Sequence, residues 1–248
     1  MKVKLLIEGD LRIHLYYPEE AIKDGALKTE DLVLFVPGLP NTPNKNIAER
    51  FIQEGKACAM MYYYGSWYSG GKFSPSESRR SLVDTIEVLF RGTAMEAYSA
   101  TTFKFTFERL SFVANSYGAQ VVLTSNVDYS LISAIFLFAP FLSIHADDNT
   151  GELGRTLLDA DLPFWRRGLN NVYRGIESTD WDDYFDGRDD GSRLKEYYPA
   201  MSIIIGSEDK VIPQKSIETF QSKYPANVEH IQGVGHDFLS LYDKYRES

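Results

Sequence analysis

The sequence predicts an α/β fold: a mostly parallel central sheet flanked by helices, with a helical cap inserted before the last strands. Three observations predict it. Short, continuous apolar runs at Leu32–Val36, Ala57–Tyr62, Ser133–Phe138 and Met201–Ile205 have the length and composition of strands buried on both faces. Stretches of helical spacing separate most of them, and strands alternating with helices build βαβ units and a parallel sheet. At Phe112–Gln120 the residues Phe-Val-Ala-Asn-Ser-Tyr-Gly-Ala-Gln carry an apolar run into Ser116, with small residues two positions to either side, Ala114 and Gly118. That order reads as strand, sharp turn and helix.

Taken in order, Lys2–Glu8 and Arg12–Tyr17 carry β-compatible residues around Gly9-Asp10 and are expected to form a hairpin. His14 within it is expected on a strand face or the surface. Leu32–Val36 delivers the loop Pro37-Gly38-Leu39-Pro40. Asn44–Gly55 places Ile47, Ala48, Phe51 and Ile52 at helical spacing, with Gly55 as the stop. Ala57–Tyr62 opens into Tyr63-Tyr64-Gly65-Ser66-Trp67-Tyr68-Ser69-Gly70-Gly71, a loop dense in aromatics and glycine. Ser76–Leu89 is expected as a helix with Leu82, Ile86, Val88 and Leu89 on its apolar face. Arg91–Leu110 reads two ways: Phe103, Phe105 and Phe107 alternate with polar residues as in an extended segment, while Met95–Ser99 has the composition of a short helix.

Beyond Ser116, Gly118–Ser125 continues as a helix and Ser133–Phe138 as the next strand. Ser143–Pro199 then breaks the alternation. Leu153, Leu157, Leu158, Leu162, Phe164 and Trp165 precede Arg166-Arg167, followed by an acidic run from Glu177 to Asp190. The segment reads as an inserted helical cap at about 143–199. Its acidic run lacks calcium-loop spacing and is expected to be a solvated face. Met201–Ile205 resumes the strand pattern, Ser216–Lys223 reads as a helix and Val228–Ile231 as a last strand. No internal repeat or low-complexity linker divides the chain, so a single domain is expected over 1–248.

Composition narrows the function classes. With 44% hydrophobic and 25% charged residues over 248 positions, the chain has the profile of a soluble globular protein with a sizeable core. Its 26 Lys+Arg against 35 Asp+Glu give a formal net charge of −9, which disfavours general binding to nucleic-acid phosphates. No window approaches the roughly 20 apolar residues of a membrane span, and the N-terminal stretch falls short of a signal-peptide core. A cytoplasmic protein is expected. The single cysteine, Cys58, excludes an intramolecular disulfide and lies in an apolar run where burial is expected.

Serine is a poor nucleophile until a base takes its proton, so Ser116 needs partners. The best base is His236 in Gly233-Val234-Gly235-His236-Asp237-Phe238, a glycine-rich loop after the last strand. The best orienter is Asp209 in Gly206-Ser207-Glu208-Asp209-Lys210-Val211-Ile212-Pro213, directly after another. Glu208 is a neighbouring candidate acid and Asp237 a local candidate partner for His236. Asp209 also suits a helix cap. His145 and His230 have no carboxylate or thiol at metal-ligand spacing, so no metal site is expected there.

On these residues the chain, from Leu32 to its end, resembles the α/β-hydrolase fold serine hydrolases, in particular the esterase and serine-aminopeptidase branches. Ala114-x-Ser116-x-Gly118 is similar to the G-x-S-x-G nucleophile elbow, with alanine for the first glycine. Gly206–Pro213 is similar to the family's acid loop and Gly233–Phe238 to its histidine loop. Tyr64–Gly70 resembles the R-G-x-G-x-S-x-G loop, with Tyr64 for arginine and Trp67 for glycine.

The resemblance implies that Ser116 attacks a carbonyl carbon, His236 takes its proton and Asp209 fixes the imidazole tautomer. It implies backbone N–H donors to the oxyanion from Tyr117, which follows the nucleophile, and Leu39, since Pro40 has no N–H. Trp67, Tyr68, Phe164 and Trp165 are the substrate-pocket candidates, and Tyr62 and Tyr63 divide between pocket and core. The expected substrate is a small-molecule ester with an apolar or aromatic acyl part, and the mechanism requires no metal or organic cofactor. A peptidase, an acyl-peptide hydrolase or a thioesterase uses the same triad. A catalytically silent ligand-binding protein on the same fold is the alternative of another class.

Overall fold

In the computed structural model, which describes residues 1–39, 43–142, 172–175 and 194–248, the apolar runs become strands of one sheet. β1 (Lys2–Glu8) and β2 (Leu11–Tyr17) form the expected antiparallel hairpin. β3 (Ile22–Lys23) folds back on β4 (Ala26–Val36), whose buried half, Leu32–Val36, is the predicted strand. β5 (Ala57–Tyr62) has the predicted bounds. β6 (Thr93–Glu96) and β7 (Thr101–Asn115) precede Ser116, and β8 (Ala134–Phe138), β9 (Met201–Gly206) and β10 (Asn227–Ile231) follow it. From β5 through β4, β7, β8 and β9 to β10 every neighbour is parallel, so all these strands point their C-terminal ends at one edge.

Five helices are described. α1 (Lys45–Gln53) starts at Asn44, whose side chain accepts from the Asn46 N–H. α2 (Pro75–Arg91) starts at Ser74, which accepts from the Glu77 N–H, and stops at Gly92 with φ +69, a left-handed cap that favours glycine. α3 is Tyr117–Thr124 and α4 is Gln214–Gln221. α5 (Phe238–Glu247), which the sequence reading does not anticipate, is capped by Asp237 accepting from the Ser240 N–H.

Side chains alternate across the strands, and the helices divide accordingly. Phe35 and Phe138 face α5, with ring centroids 5.0 and 5.1 Å from Phe238. α1 joins that face through Phe51, 5.1 Å from Tyr242. Leu34, Ala59 and Leu137, all fully buried, point to the opposite face, where α2 and α3 pack together.

The first half of the sheet closes on itself. β7 begins well before its parallel stretch, and its start pairs antiparallel with β6 from Thr93↔Lys104 to Glu96↔Thr101. β6 then pairs with β1 at Leu6↔Glu96 and Ile7↔Met95. The circuit β7, β6, β1, β2, β5, β4 returns to β7. The short-helix reading of Met95–Ser99 is therefore replaced by a strand end and a turn. The cause is Glu96: only 2% exposed, its carboxylate accepts from the N–H of Tyr98 and Ser99 and from the Ser99 hydroxyl. Those bonds, the Ser99 hydroxyl foremost, hold it below the usual carboxylate range and fix the reversal.

Of the segment expected as a cap, residues 172–175 and 194–199 are described, and the remainder lies outside the described residues. Tyr173 forms a bridge to Ser66 in the loop after β5. Among the described residues, no helix is long and apolar enough to cross a membrane.

Candidate active site

Ser116 sits between β7 and α3 with φ 49 and ψ −117, a backbone conformation that L-residues rarely adopt. The surrounding chain enforces it. The Ser116 N–H donates to the Phe138 carbonyl at 3.0 Å, and the Ser116 carbonyl accepts from Ala119 and Phe141, each at 3.0 Å. The two small neighbours serve the turn. Ala114 is fully buried between its partners Val36 and Leu137. A Cβ on Gly118 would lie 2.7 Å from the Pro37 carbonyl oxygen and closer still to that of Val36, so only glycine lets α3 approach the end of β4.

The loop Pro37–Leu39 lies directly against the serine. A Cβ added to Gly38 would be 3.0 Å from the Ser116 Cβ and 3.1 Å from the Asn115 carbonyl oxygen. This contact brings Leu39, half-buried, beside the turn that carries Ser116 and Tyr117. Behind the loop, the hydroxyl of buried Tyr63 donates to the Pro37 carbonyl at 2.6 Å. The Tyr63 ring packs edge-on against Tyr117, centroids 5.6 Å apart, and against Phe73 at 6.0 Å.

On the other side, the structure brings Asp209 and His236 to Ser116. His236 Nε2 is 3.1 Å from Ser116 Oγ, and His236 Nδ1 is 2.9 Å from Asp209 Oδ2. An ionised carboxylate only accepts, so Nδ1 carries the proton and Nε2 is left to accept from the serine hydroxyl. The Asp209 side chain is 1% exposed and His236 28%, which leaves the base open toward solvent. Burial pushes the Asp209 carboxyl up, but His236 and the N–H groups of Ile212 and Val211 outweigh it and hold the group below its usual value. Asp209 Oδ1 thus caps its own loop while Oδ2 orients the imidazole.

The loops themselves are held by backbone contacts. The Glu208 N–H donates to the Val234 carbonyl at 2.9 Å, and a Cβ on Gly206 would meet the Gly235 carbonyl oxygen at 2.7 Å, so acid and histidine loops lie against each other. Glu208 is exposed. Asp237, the local alternative partner for His236, caps α5 instead.

The aromatic loop after β5 splits. Tyr62 and Tyr63 are core residues. Trp67, at φ 41, is half-buried, and its N–H points to the Val172 carbonyl at 3.4 Å. Tyr68, 52% exposed, packs edge-on against His14 at 5.1 Å and Tyr62 at 5.2 Å, over β2 and β5 rather than β7. Phe164 and Trp165 lie outside the described residues. His14 is the strand-face histidine expected; its Nδ1 is 2.7 Å from the Tyr62 hydroxyl, and burial lowers its pKa. Arg174 ties the loop to the stretch 172–175: its N–H donates to the Gly65 carbonyl at 2.7 Å, its carbonyl accepts from Phe73 at 2.7 Å, and its guanidinium reaches the Trp67 and Ser69 carbonyls. Tyr173 beside it is buried against Phe73, centroids 4.4 Å apart.

His230 is exposed on β10, and His145 lies outside the described residues. Among the described residues, no three His, Cys, Asp or Glu side chains cluster as metal ligands. The sequence reading missed the roles of Tyr63, Tyr173 and Arg174; the density of aromatics around Gly65 was the signal for the first.

No protein-family model matches the chain, and no curated protein matches it. Solved structures do. The chain superimposes on Est1E from Butyrivibrio proteoclasticus at a TM-score of 0.61 with 14% identity, covering 99% of this chain and 96% of that one. An esterase from Pyrococcus furiosus gives 0.64 with 16% identity, covering 99% and 88%. GrgF, an alpha/beta hydrolase from Penicillium, gives 0.63 with 13% identity, covering 99% and 96%.

Proposed function

We propose that this chain, which has the α/β-hydrolase fold, is a serine hydrolase that cleaves carboxylic esters of small or medium, apolar or aromatic substrates through an acyl-enzyme. The observation that carries the reading is the relay Ser116 Oγ to His236 Nε2 at 3.1 Å and His236 Nδ1 to Asp209 Oδ2 at 2.9 Å. Its members come from three loops at one edge of the sheet, spaced as a nucleophile, its base and the base's orienter must be.

In this mechanism Ser116 Oγ forms a bond to the ester carbonyl carbon while its proton passes to His236 Nε2. The carbonyl electron pair moves to oxygen, and the resulting oxyanion accepts hydrogen bonds from the Tyr117 and Leu39 N–H groups. Collapse of the tetrahedral species breaks the bond to the leaving alcohol, which takes the proton from Nε2. A water then gives its proton to Nε2 and attacks the acyl-enzyme carbonyl. The second collapse releases the carboxylic acid and returns the proton to Ser116 Oγ. Asp209, kept ionised, stabilises the imidazolium formed in each half-reaction.

Ester cleavage is favoured over amide or thioester cleavage by the company the fold keeps. Est1E is also known with ferulic acid bound, an aromatic carboxylic acid, in a structure that superimposes at a TM-score of 0.64 with 15% identity. An esterase from Thermogutta terrifontis is known phosphoramylated by tabun, at 0.56 and 15% identity. Trp67, on the loop leaving the same sheet edge, is the described residue proposed to contact an aromatic acyl group. The test is labelling with a fluorophosphonate probe together with turnover of p-nitrophenyl esters, aminoacyl arylamides and acyl-thioesters. Labelling lost in Ser116→Ala and His236→Ala, with esters turned over best, is the expected result. Folded wild-type protein that takes no label sinks the serine-hydrolase reading, and arylamides turned over faster than esters sink the esterase one.

A further inference from the structure

We infer that Tyr63 is a positioning residue for the oxyanion donors, its hydroxyl fixing the peptide that leads into Leu39; this rests on the serine-hydrolase reading above. A donor N–H on a loop is useful only if it already points where the oxyanion will form. Here the loop leaves β4 as Pro37-Gly38-Leu39, a proline without an N–H followed by a glycine, the residue with the greatest backbone freedom. Two contacts remove that freedom. The Tyr63 hydroxyl donates to the Pro37 carbonyl at 2.6 Å, and peptide planarity carries this constraint to the Gly38 nitrogen. The Gly38 α-carbon is then seated on Ser116 and Asn115, where an added Cβ would lie 3.0 to 3.1 Å from their atoms. With the Gly38 nitrogen and α-carbon both placed, a single backbone rotation, Gly38 ψ, is left to set the direction of the Leu39 N–H.

Tyr63 is itself held. It is 1% exposed, with Phe73 at 6.0 Å crossing its ring at 63° and Tyr117 at 5.6 Å crossing it at 86°. Tyr117, whose ring meets that of Tyr63, carries the other proposed donor on its backbone, at the start of α3. Burial pushes the Tyr63 phenol well above its ordinary range, which keeps the hydroxyl a donor throughout the working pH range.

Tyr63→Phe keeps the ring and removes only the hydroxyl. With p-nitrophenyl acetate, kcat is expected to fall about 10- to 100-fold while KM stays within about twofold, the pattern of an interaction made in the transition state. Inhibition by phenylboronic acid, which forms a tetrahedral adduct on serine, is expected to weaken by a similar factor. Phe73→Leu serves as the packing control, since it loosens the same cluster and leaves the hydroxyl; its kcat is expected to stay within about threefold of wild type. A Tyr63→Phe enzyme with kcat within about twofold of wild type overturns the inference. So does a Phe73→Leu enzyme that loses as much, because packing rather than the hydroxyl would then be responsible. Failure here is separable from failure of the parent reading: if Ser116→Ala abolishes labelling and turnover while Tyr63→Phe changes neither kcat nor boronate inhibition, only the positioning role falls.

Discussion

The two sides of Ser116 are built from different materials. On the side of Pro37–Leu39 and Gly118, the parts are backbone in close contact, and two glycines mark where a side-chain atom is excluded, at Gly118, or crowded, at Gly38. On the side of Asp209 and His236, the parts are side chains on loops, located by directed hydrogen bonds of 2.9 and 3.1 Å. The first side resists change because added volume displaces backbone, and the second because charge cannot be removed from it. Substitutions on the two sides should therefore fail in distinguishable ways, one through geometry and one through chemistry.

The largest expected effect is on the polar side. Asp209→Asn keeps the shape but offers Nδ1 an amide in place of an acceptor-only group, so kcat should fall about 10⁴-fold, roughly 5 kcal/mol of barrier, in a protein that remains folded. Steady-state kinetics beside a thermal melt check it; an activity loss matched by unfolding would erase the contrast. The same variant carries a pH signature. The Asp209 carboxyl is held below its ordinary 3.8, so its contribution to stability is full above about pH 4 and is lost as pH falls through the depressed value. Asp209→Asn should lack that component in an acid titration of the melting temperature.

Gly118→Ala comes next, on the packed side. Its Cβ would collide with the carbonyl oxygens of Val36 and Pro37, backbone atoms that cannot swing away, and a loss of about 3 kcal/mol of stability is expected despite the helix propensity of alanine. Denaturant unfolding measures it. Gly38→Ala should be milder. At 3.0 Å from the Ser116 Cβ the loop can shift by tenths of an ångström, so the fold survives while kcat drops about 100-fold with KM little changed. Equal stability losses at both glycines would show that the loop does not yield separately from the helix.

The smallest effect lies away from the site, at His14. Burial lowers its pKa, so the folded protein holds it neutral and the unfolded chain binds the extra proton below about pH 6.5. Its stabilisation is complete above that pH and declines as pH falls toward the lowered value. His14→Gln, which can still pair with the Tyr62 hydroxyl, should flatten the melting temperature against pH in this window by less than about 1 kcal/mol.

Much of the site was legible because its signals are local. Ala114, Ser116 and Gly118 announce a tight strand-to-helix turn by size alone, and Asp209 and His236 stand in short polar loops straight after apolar strands. The parallel strands were equally plain, since a strand buried on both faces is an unbroken apolar run. What escaped depends on distant partners. β6 is four residues long and is an inner strand only because β1, from the far N-terminal end of the chain, pairs along its other side, which no short window contains. Tyr63 is one of three consecutive tyrosines, and only the Pro37 carbonyl, 26 residues away, distinguishes it. α5 is hidden differently: Asp237, next to His236 in the chain, draws the eye as its partner, although Phe238, Leu241, Tyr242 and Tyr245 follow it at helical spacing.

The backbone of Ser116 has one more consequence. A serine held at φ 49 stores on the order of 1–3 kcal/mol that glycine at the same position would release. Ser116→Ala keeps the Cβ and the strain, whereas Ser116→Gly sheds both, so the inert glycine protein should outlast the wild type on heating. The chain would be sturdier without the residue it is built to present, and that residue's place is a concession of durability to reactivity.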